Sequence, residues 1–178
     1  MFELVVDDEI KLSLVHESFA KRYVTLAEEN HKYLAQWLAW PAFCKTEEDF
    51  KGFVKNSLHS YADGKAMHCA IVYKTVIVGN ISFNSINHEL KIVEIGYWIS
   101  QEYQGKGIVT RTCQFLIDHA FKKLSMEKVQ ISAAEGNKAS REVCERLGLK
   151  LEGIITSKEF IGGKILNHAI YGICRIET

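Results

Sequence analysis

One strand-like run, Glu94-Ile95-Gly96-Tyr97-Trp98-Ile99, leads after residues 100–103 into Gln104-Gly105-Lys106-Gly107-Ile108-Val109-Thr110. The first run has the apolar character of a buried strand, and the second sets two glycines directly before a helical pattern. Glycine lets the chain turn tightly and bring bare backbone N–H groups close to an anion, and the positive end of the following helix faces the same place. The stretch therefore predicts a strand, a loop and a helix that together hold a phosphate or pyrophosphate.

Two well-known phosphate loops are excluded by spacing. The dinucleotide fingerprint requires a third glycine where Thr110 stands, and the Walker loop requires a lysine followed by Ser or Thr, whereas Lys106 precedes Gly107. Two glycines before a helix are weak evidence by themselves, because an ordinary strand-to-helix turn also uses them. The ligand has to be identified from the rest of the chain.

The remaining pattern predicts an α+β fold with a mixed, mostly antiparallel sheet flanked by helices. Before the loop we expect a hairpin over 2–14, a helical pair or broken helix over 16–38 closed by Pro41, a helix from the N-cap Thr46 to near Gly64, and antiparallel strands at 70–73, 76–83 and 92–99. After it we expect a helix over 110–124, a strand over 128–134, a helix over 138–147 stopped by Gly148, and two strands around 161–164. No linker or repeat interrupts this order, so one domain over 1–178 is expected.

Composition limits the function classes. The chain has 178 residues and no net charge, with 22 basic and 22 acidic side chains, so we expect no direct nucleic-acid partner. Its five cysteines are odd in number and widely spaced, which favours reduced thiols and a cytoplasmic location. Residues 1–4 lack the pattern of a signal peptide and no apolar run is long enough to span a bilayer, so we expect no membrane partner.

Two blocks of sequence resemble the GNAT superfamily of acetyltransferases. Tyr103-Gln104-Gly105-Lys106-Gly107-Ile108 resembles its coenzyme A loop, and Asn137-Lys138-Ala139-Ser140 with Glu145-Arg146-Leu147-Gly148-Leu149-Lys150-Leu151-Glu152-Gly153 resembles its second conserved block. The similarity covers nearly the whole chain and is closest to the RimJ/RimL-like subgroup, which acetylates ribosomal protein N-termini. The resemblance implies the acyl-CoA N-acyltransferase fold, acetyl-CoA as co-substrate, and direct attack of an amine on the thioester without an acyl-enzyme.

The resemblance also implies which residues hold the cofactor. They are Ile99, Gln104, Gly105, Lys106, Gly107, Ile108, Val109, Thr110, Asn137 and Ser140. An N-cap role for Asn137 is equally expected, since asparagine before a helix is a common cap. The chain departs from the family where Val109 replaces Gly or Ala, where Leu149 replaces Phe, and where Cys144 replaces a tyrosine that protonates the departing thiolate in many relatives.

Three residues are the catalytic candidates. Ser140 matches a serine thought to hydrogen-bond and protonate the coenzyme A sulfur, although an ordinary first-turn serine is an equal alternative. Glu159 matches a glutamate proposed to deprotonate the amine and is the first candidate for the base. Glu94 is the second, since a carboxylate in an apolar strand suggests a cleft, although a mouth carboxylate paired with a lysine explains it as well. The histidines show no metal-ligand spacing, so no metal is expected.

The acceptor is less determined than the donor. A protein N-terminus, with ribosomal proteins as candidates, is the leading hypothesis, and a small amine such as a polyamine or aminoglycoside is the alternative on the same fold. A binding module that holds coenzyme A without turnover also stays open because of Cys144, and a homodimer is a possible assembly. The resemblance implies that Trp37, Trp40, Phe43 and Tyr97 lie in regions that flank the acceptor cleft, although core packing is the usual explanation for each of them. Substrate selection is expected in the first helical stretch, because it lies outside the two cofactor blocks.

Overall fold

The structure is a computed structural model that describes residues 2–175, and its elements follow the predicted order. Within these residues the strands are β1 (Glu3–Val5), β2 (Ile10–Leu14), β3 (Met67–Tyr73), β4 (Val76–Asn87), β5 (Ile92–Ile99), β6 (Lys128–Ala134), β7 (Lys150–Ile161) and β8 (Lys164–Cys174). The helices are α1 (Ala20–Glu29), α2 (His31–Leu34), α3 (Glu47–Ala62), α4 (Ile108–Lys122) and α5 (Lys138–Arg146). The ends of the predicted domain, at 1 and 178, lie outside the described residues.

The strands form one mixed sheet in the order β1-β2-β3-β4-β5-β6-β8-β7. Neighbouring strands are antiparallel except for β5 and β6, which are parallel. The exception follows from connectivity, because α4 carries the chain from one end of β5 back to the start of β6, and a parallel neighbour requires such a crossover. The predicted α+β class with a mostly antiparallel sheet is confirmed.

The parallel pair separates before either strand ends. Pairing runs from Ile92↔Lys128 to Ile95↔Ile131, whereas β5 continues to Ile99 and β6 to Ala134. The N–H of Ser100 donates to the carbonyl of Val78 on the β4 side at 2.8 Å. Because successive N–H groups of a strand point to opposite edges, those of Tyr97 and Ile99 point into the gap between β5 and β6. The sheet therefore has an opening at its centre with free backbone donors along one wall.

Each face of the sheet buries its own apolar cluster. Helices α4 and α5 cover one face, where Leu116, Ile131 and Phe83 are fully or almost fully buried. Helices α1 and α3 cover the other, around Tyr23 and Val54. Since side chains alternate along β5, odd-numbered residues such as Ile95 face α4 and α5, and even-numbered residues face the other side. One strand thus supplies groups to both sides of the opening.

Local signals set the helix ends. Thr46 caps α3 as predicted, and its side chain forms a capping box with Asp49. Helix α4 begins at Ile108, two residues before the predicted start, because Gly107 takes the cap position with a φ of +69°. Pro41 lies inside a one-turn 3-10 helix, Trp40–Ala42. Within residues 2–175, no helix is both long and apolar enough to cross a membrane.

Candidate active site

The glycine loop presents unpaired backbone donors. Gly105 and Gly107 have φ angles of +71° and +69°, and a Cβ added at either would meet nothing within 4 Å. Conformation, and not space, is therefore what requires glycine here. In the described part of the chain, the N–H groups of residues 105–110 have no protein acceptor. These amides and the positive end of the 15-residue helix α4 form a site suited to a pyrophosphate.

Salt bridges tie this loop to the N-terminal hairpin. The Arg111 guanidinium Nη1 lies 2.8 Å from Asp7 Oδ2 and 3.2 Å from Glu9 Oε2, and Nη2 lies 3.5 Å from the carbonyl oxygen of Lys106. Burial tends to raise the pKa of Asp7, but the hydrogen bond from the N–H of Glu9 and the charge of Arg111 lower it overall. Through Arg111, the N-terminal hairpin is therefore joined both to the first turn of α4 and to the backbone of the glycine loop.

Lys106 contributes its backbone to the loop. Its ammonium lies 4.7 Å from the centre of the Tyr103 ring, in a cation–π contact. The side chain of Val109 packs against the core under α4, which leaves its amide at the helix start. The valine that departs from the family pattern is therefore accommodated in the core.

Helix α5 brings Asn137 and Ser140 to the opening. The Asn137 side-chain oxygen accepts the N–H of Ser140 at 3.2 Å, so the predicted N-cap is confirmed. The Ser140 hydroxyl lies 2.8 Å from the hydroxyl of Tyr97, which reaches across from β5. Burial raises the pKa of the Tyr97 phenol far above its usual range. This hydroxyl pair was not expected from the sequence, because core packing is the usual explanation for an aromatic residue at the position of Tyr97.

Cys144 follows one helical turn after Ser140. Its side chain is fully buried, and burial raises the pKa of the thiol to about 12. At neutral pH it is a buried, protonated thiol with the character of a small apolar side chain.

On the other face of the sheet, Glu159 approaches a histidine. Its Oε2 lies 3.1 Å from Nε2 of His168, whose Nδ1 lies 2.8 Å from the hydroxyl of Ser132. Among the described residues, His168 Nε2 has no partner aligned for a hydrogen bond, so the two groups approach closely without forming one. The His168 side chain is 12% exposed and that of Glu159 is 35% exposed, so the carboxylate has access to solvent.

A bulge in β7 sets Glu159 opposite Leu166, two residues from His168 on β8. The pairing with β8 shifts register between Ile155 and Glu159, and Ser157 inside the bulge has a φ of +52°. The N–H of Ser157 donates to the Asn167 side chain at 3.0 Å, and the Asn167 amide donates to Glu135 at 3.0 Å. These two bonds stabilise a conformation that a serine seldom adopts.

Glu94 lies on the same face, nearer the middle of the sheet. The Gln130 amide donates to its Oε2 at 3.2 Å, across the last part of the parallel pair. In the described structure the Glu94 side chain makes no salt bridge with a lysine. The alternative explanation of Glu94, a carboxylate at the cleft mouth that pairs with a lysine, is therefore not observed.

One cleft of about 1510 Å³ connects these groups. It runs from the glycine loop, past the opening between β5 and β6, to the side covered by α1 and α3. Of the predicted cofactor and catalytic residues, all but Lys106 line it. Ser132, His168, Trp98 and the carboxamide of Asn84 also line it and were missed, because each takes its place from strand pairing with distant residues.

The far end of the cleft is aromatic. The rings of Trp40 and Trp98 lie 5.3 Å apart, and Trp37 and Phe43 also line this end. Phe43 is 69% exposed, so an apolar ring stands at the mouth. Within residues 2–175, no cluster of three or more His, Cys, Asp or Glu side chains could hold a metal ion. The cleft offers amides, hydroxyls, carboxylates and aromatic rings.

Known proteins share this architecture. A family model described as "Acetyltransferase (GNAT) domain" matches residues 12–150. YdaF of Bacillus subtilis (strain 168), named as a candidate ribosomal N-acetyltransferase, is 30% identical over 178 residues, covering 99% of this chain and 97% of its own length. The ribosomal-protein-serine acetyltransferase of Escherichia coli (strain K12) is 33% identical over 156 residues, covering 88% of this chain and 87% of its own.

A solved structure agrees along almost the whole chain. RimL, a ribosomal L7/L12 α-N-protein acetyltransferase solved in complex with coenzyme A, superposes with a TM-score of 0.93 at 26% identity, covering 97% of this chain and 98% of its own. The overall fold of this chain therefore has a counterpart in a solved structure that contains coenzyme A.

Proposed function

Because the chain belongs to the GNAT family of acetyltransferases and uses acetyl-CoA, we propose that its acceptor is the N-terminal α-amine of a protein, with ribosomal proteins as the first candidates. The main support is the placement of Glu159 across the central opening from the unpaired amides of the glycine loop. A donor and an acceptor bound at the two ends of one cleft would meet at that opening.

In this proposal the backbone holds the donor. The amides of residues 105–110 bind the pyrophosphate, and the N–H of Ile99 and the free side-chain amide of Asn137 bind the pantetheine arm. The N–H of Tyr97 points into the opening, where it can stabilise the oxyanion of the tetrahedral intermediate. Ser140 lies beside the departing sulfur.

Glu159 takes the proton in this proposal. As the amine attacks, the C–N bond forms, the C–S bond breaks with its electron pair going to sulfur, and the ammonium proton passes to the Glu159 carboxylate, directly or through a water molecule. His168 lies against the carboxylate at 3.1 Å, and the Ser132 hydroxyl contacts the other ring nitrogen at 2.8 Å. Glu94 is the second candidate for the base. Holding amine and thioester together supplies most of the rate, and proton removal supplies a smaller part.

An α-amine suits so modest a base. With a pKa near 8, about a tenth of an α-amine is neutral at pH 7, whereas a lysine with a pKa near 10.4 is neutral only at about one part in 2,500. A partly exposed carboxylate can therefore serve a chain terminus more readily than a lysine side chain.

A matched set of peptides tests the acceptor. The purified protein is given acetyl-CoA with ribosomal-protein N-terminal peptides, with the same peptides blocked at the α-amine but carrying a free lysine, and with spermidine. Thiol release and peptide mass are measured together. We expect acetylation only of free α-amines, and transfer to spermidine or to lysine alone would contradict the proposal.

A polyamine acceptor is the second candidate, since acidic side chains in the cleft outnumber basic ones. The acidic ones are Glu48, Asp49, Glu94, Glu142 and Glu159, and the basic ones are Arg146 and Lys158. A cationic acceptor would be attracted by this excess, and the spermidine arm tests it. The coenzyme A module without turnover, suggested by Cys144, would appear as tight acetyl-CoA binding with no thiol release in any arm.

We also propose a homodimer, in line with the exposed edge of the sheet. Strand β7 is an edge strand and exposes Leu151, Ile154, Ile155 and Phe160. Long apolar edges tend to pair with another chain. Sedimentation velocity over a range of concentrations tests this, and a monomer throughout would contradict it.

A further inference from the structure

A half-buried phenol, that of Tyr97, contacts the hydroxyl of Ser140 at the start of α5. Tyr97 Oη is 2.8 Å from Ser140 Oγ and 3.3 Å from the Ser140 carbonyl oxygen. Both residues line the cleft, Ser140 from the start of α5 and Tyr97 from the half of β5 that no longer pairs with β6. No other residue of the described chain donates a side-chain hydrogen bond to the Ser140 hydroxyl.

We take Tyr97 as the donor in the 2.8 Å contact, where either hydroxyl can donate. A phenol desolvated to this degree is protonated at any working pH, so Tyr97 can always act as a donor. When Tyr97 donates to Ser140 Oγ, the serine proton cannot point back along the same line. The serine proton can then point into the cleft, which Ser140 lines.

We propose that Tyr97 is a positioning residue that turns the Ser140 hydroxyl towards the departing sulfur, so that the pair stabilises the thiolate by a hydrogen bond and does not protonate it. This inference rests on the proposed acetyl transfer and gives a further role to the same site. It also accounts for Cys144, because a protein that stabilises a thiolate in this way needs no acidic side chain at that helix position.

The relative acidities of the groups favour a hydrogen bond to the thiolate over transfer of a proton to it. A thiol has a pKa near 8.5 in water, so its thiolate is a tolerable leaving group. Full transfer from Ser140 would leave an alkoxide, and relay from Tyr97 would leave a buried phenolate, both of which are costly charges in a desolvated place. The electron pair of the broken C–S bond therefore stays on sulfur, facing Ser140, and the thiolate takes its proton from water on release.

The test measures the thiol of bound coenzyme A, which needs no acceptor. The ultraviolet absorbance of the thiolate is followed against pH for coenzyme A bound to the wild-type protein, to Tyr97→Phe and to Ser140→Ala. We expect the wild type to hold the pKa of the bound thiol lower than either variant by about one unit, which is the tenfold effect of one charge-assisted hydrogen bond. Equal titration in wild type and Tyr97→Phe overturns the proposal.

Kinetics supply the second measurement. Tyr97→Phe should lower kcat by about tenfold while the Kd for acetyl-CoA changes by less than about threefold. In a Ser140→Ala background the same change should cost nothing further, since Tyr97 acts only through the serine. A full additional loss in that background would mean that Tyr97 reaches the sulfur itself, and would overturn the positioning role.

A matched control separates this role from general packing. Tyr171 is a buried phenol that, like Tyr97, is hydrogen-bonded to α5. Its hydroxyl accepts from Arg141 at 2.9 Å and donates to Glu145 at 3.0 Å, and the residue does not line the cleft. Tyr171→Phe should leave kcat and the thiol titration unchanged, and an equal fall of kcat in both variants would mean that loosening α5 is the cause. If the wild-type protein lowers the pKa of the bound thiol but acetylates no peptide, the proposed acceptor is wrong and the role of Tyr97 stands.

Discussion

The carboxylate of Glu159 and the imidazole of His168 meet at 3.1 Å on adjacent strands, on the face of the sheet opposite to Ser140. The arrangement sets the group proposed to accept the amine proton on one side of the central opening and the group proposed to face the sulfur on the other. An amine that enters from the side of α1 and α3 would therefore reach the thioester through the gap between β5 and β6.

Replacing Glu159 by Gln should lower kcat by about a hundredfold or more, because the proton acceptor is lost while the shape is kept. The Kd for acetyl-CoA, measured by calorimetry, should not change. Glu152→Gln is the matched control, since Glu152 lies on the same strand but pairs with Lys128 away from the cleft. An unchanged kcat for Glu159→Gln would remove this residue from the role and direct the same test to Glu94.

Replacing His168 by Asn should lower kcat by about threefold to thirtyfold, a smaller loss than that of Glu159→Gln, because the carboxylate stays but loses its support. The distinguishing measurement is a double-mutant cycle, because His168→Asn should cost little further in a Glu159→Gln background if His168 acts through the carboxylate. A fall in thermal stability together with the full additional loss of kcat in that background would assign His168 a packing role only.

Replacing Gly107 by Ala should weaken acetyl-CoA binding by about tenfold, because a φ of +69° strains any side chain by about 1–2 kcal/mol and the loop would relax away from it. Gly153→Ala is the control, since a Cβ there meets nothing within 4 Å and the backbone is in an ordinary conformation. Calorimetry of both variants checks this, and equal affinities would argue against the loop as the pyrophosphate site.

Replacing Asp7 by Asn should make the protein less stable at neutral pH, and the difference should vanish in acid. The pKa of Asp7 is lowered in the folded state, so its contribution is present above the ordinary carboxyl value of 3.8 and is lost as the pH falls through the folded value. Unfolding midpoints measured from pH 7 down to about pH 3 test the sign. A difference that grows in acid would contradict the salt bridge to Arg111.

Much of the fold could be predicted because its signals are local. The Thr46 cap, the glycines at 105 and 107, and the strand at 128–134 follow from the preferences of short segments, and they appear where expected. Helix α4 was misplaced by two residues, since the first turn of a helix has no side-chain period of its own and Gly107 took the cap.

The sequence by itself determined that a nest of backbone amides precedes a long helix and that a second block carries Asn137 and Ser140, because glycine conformations and helix caps depend on neighbouring residues. Only the tertiary structure decided that Tyr97 meets Ser140 and that Glu159 meets His168. The first contact depends on two parallel strands separating, and the second on a bulge held by Asn167. Contacts between segments distant in the chain are set by the packing of the whole sheet. They have no signal in the residues that neighbour each contact along the sequence.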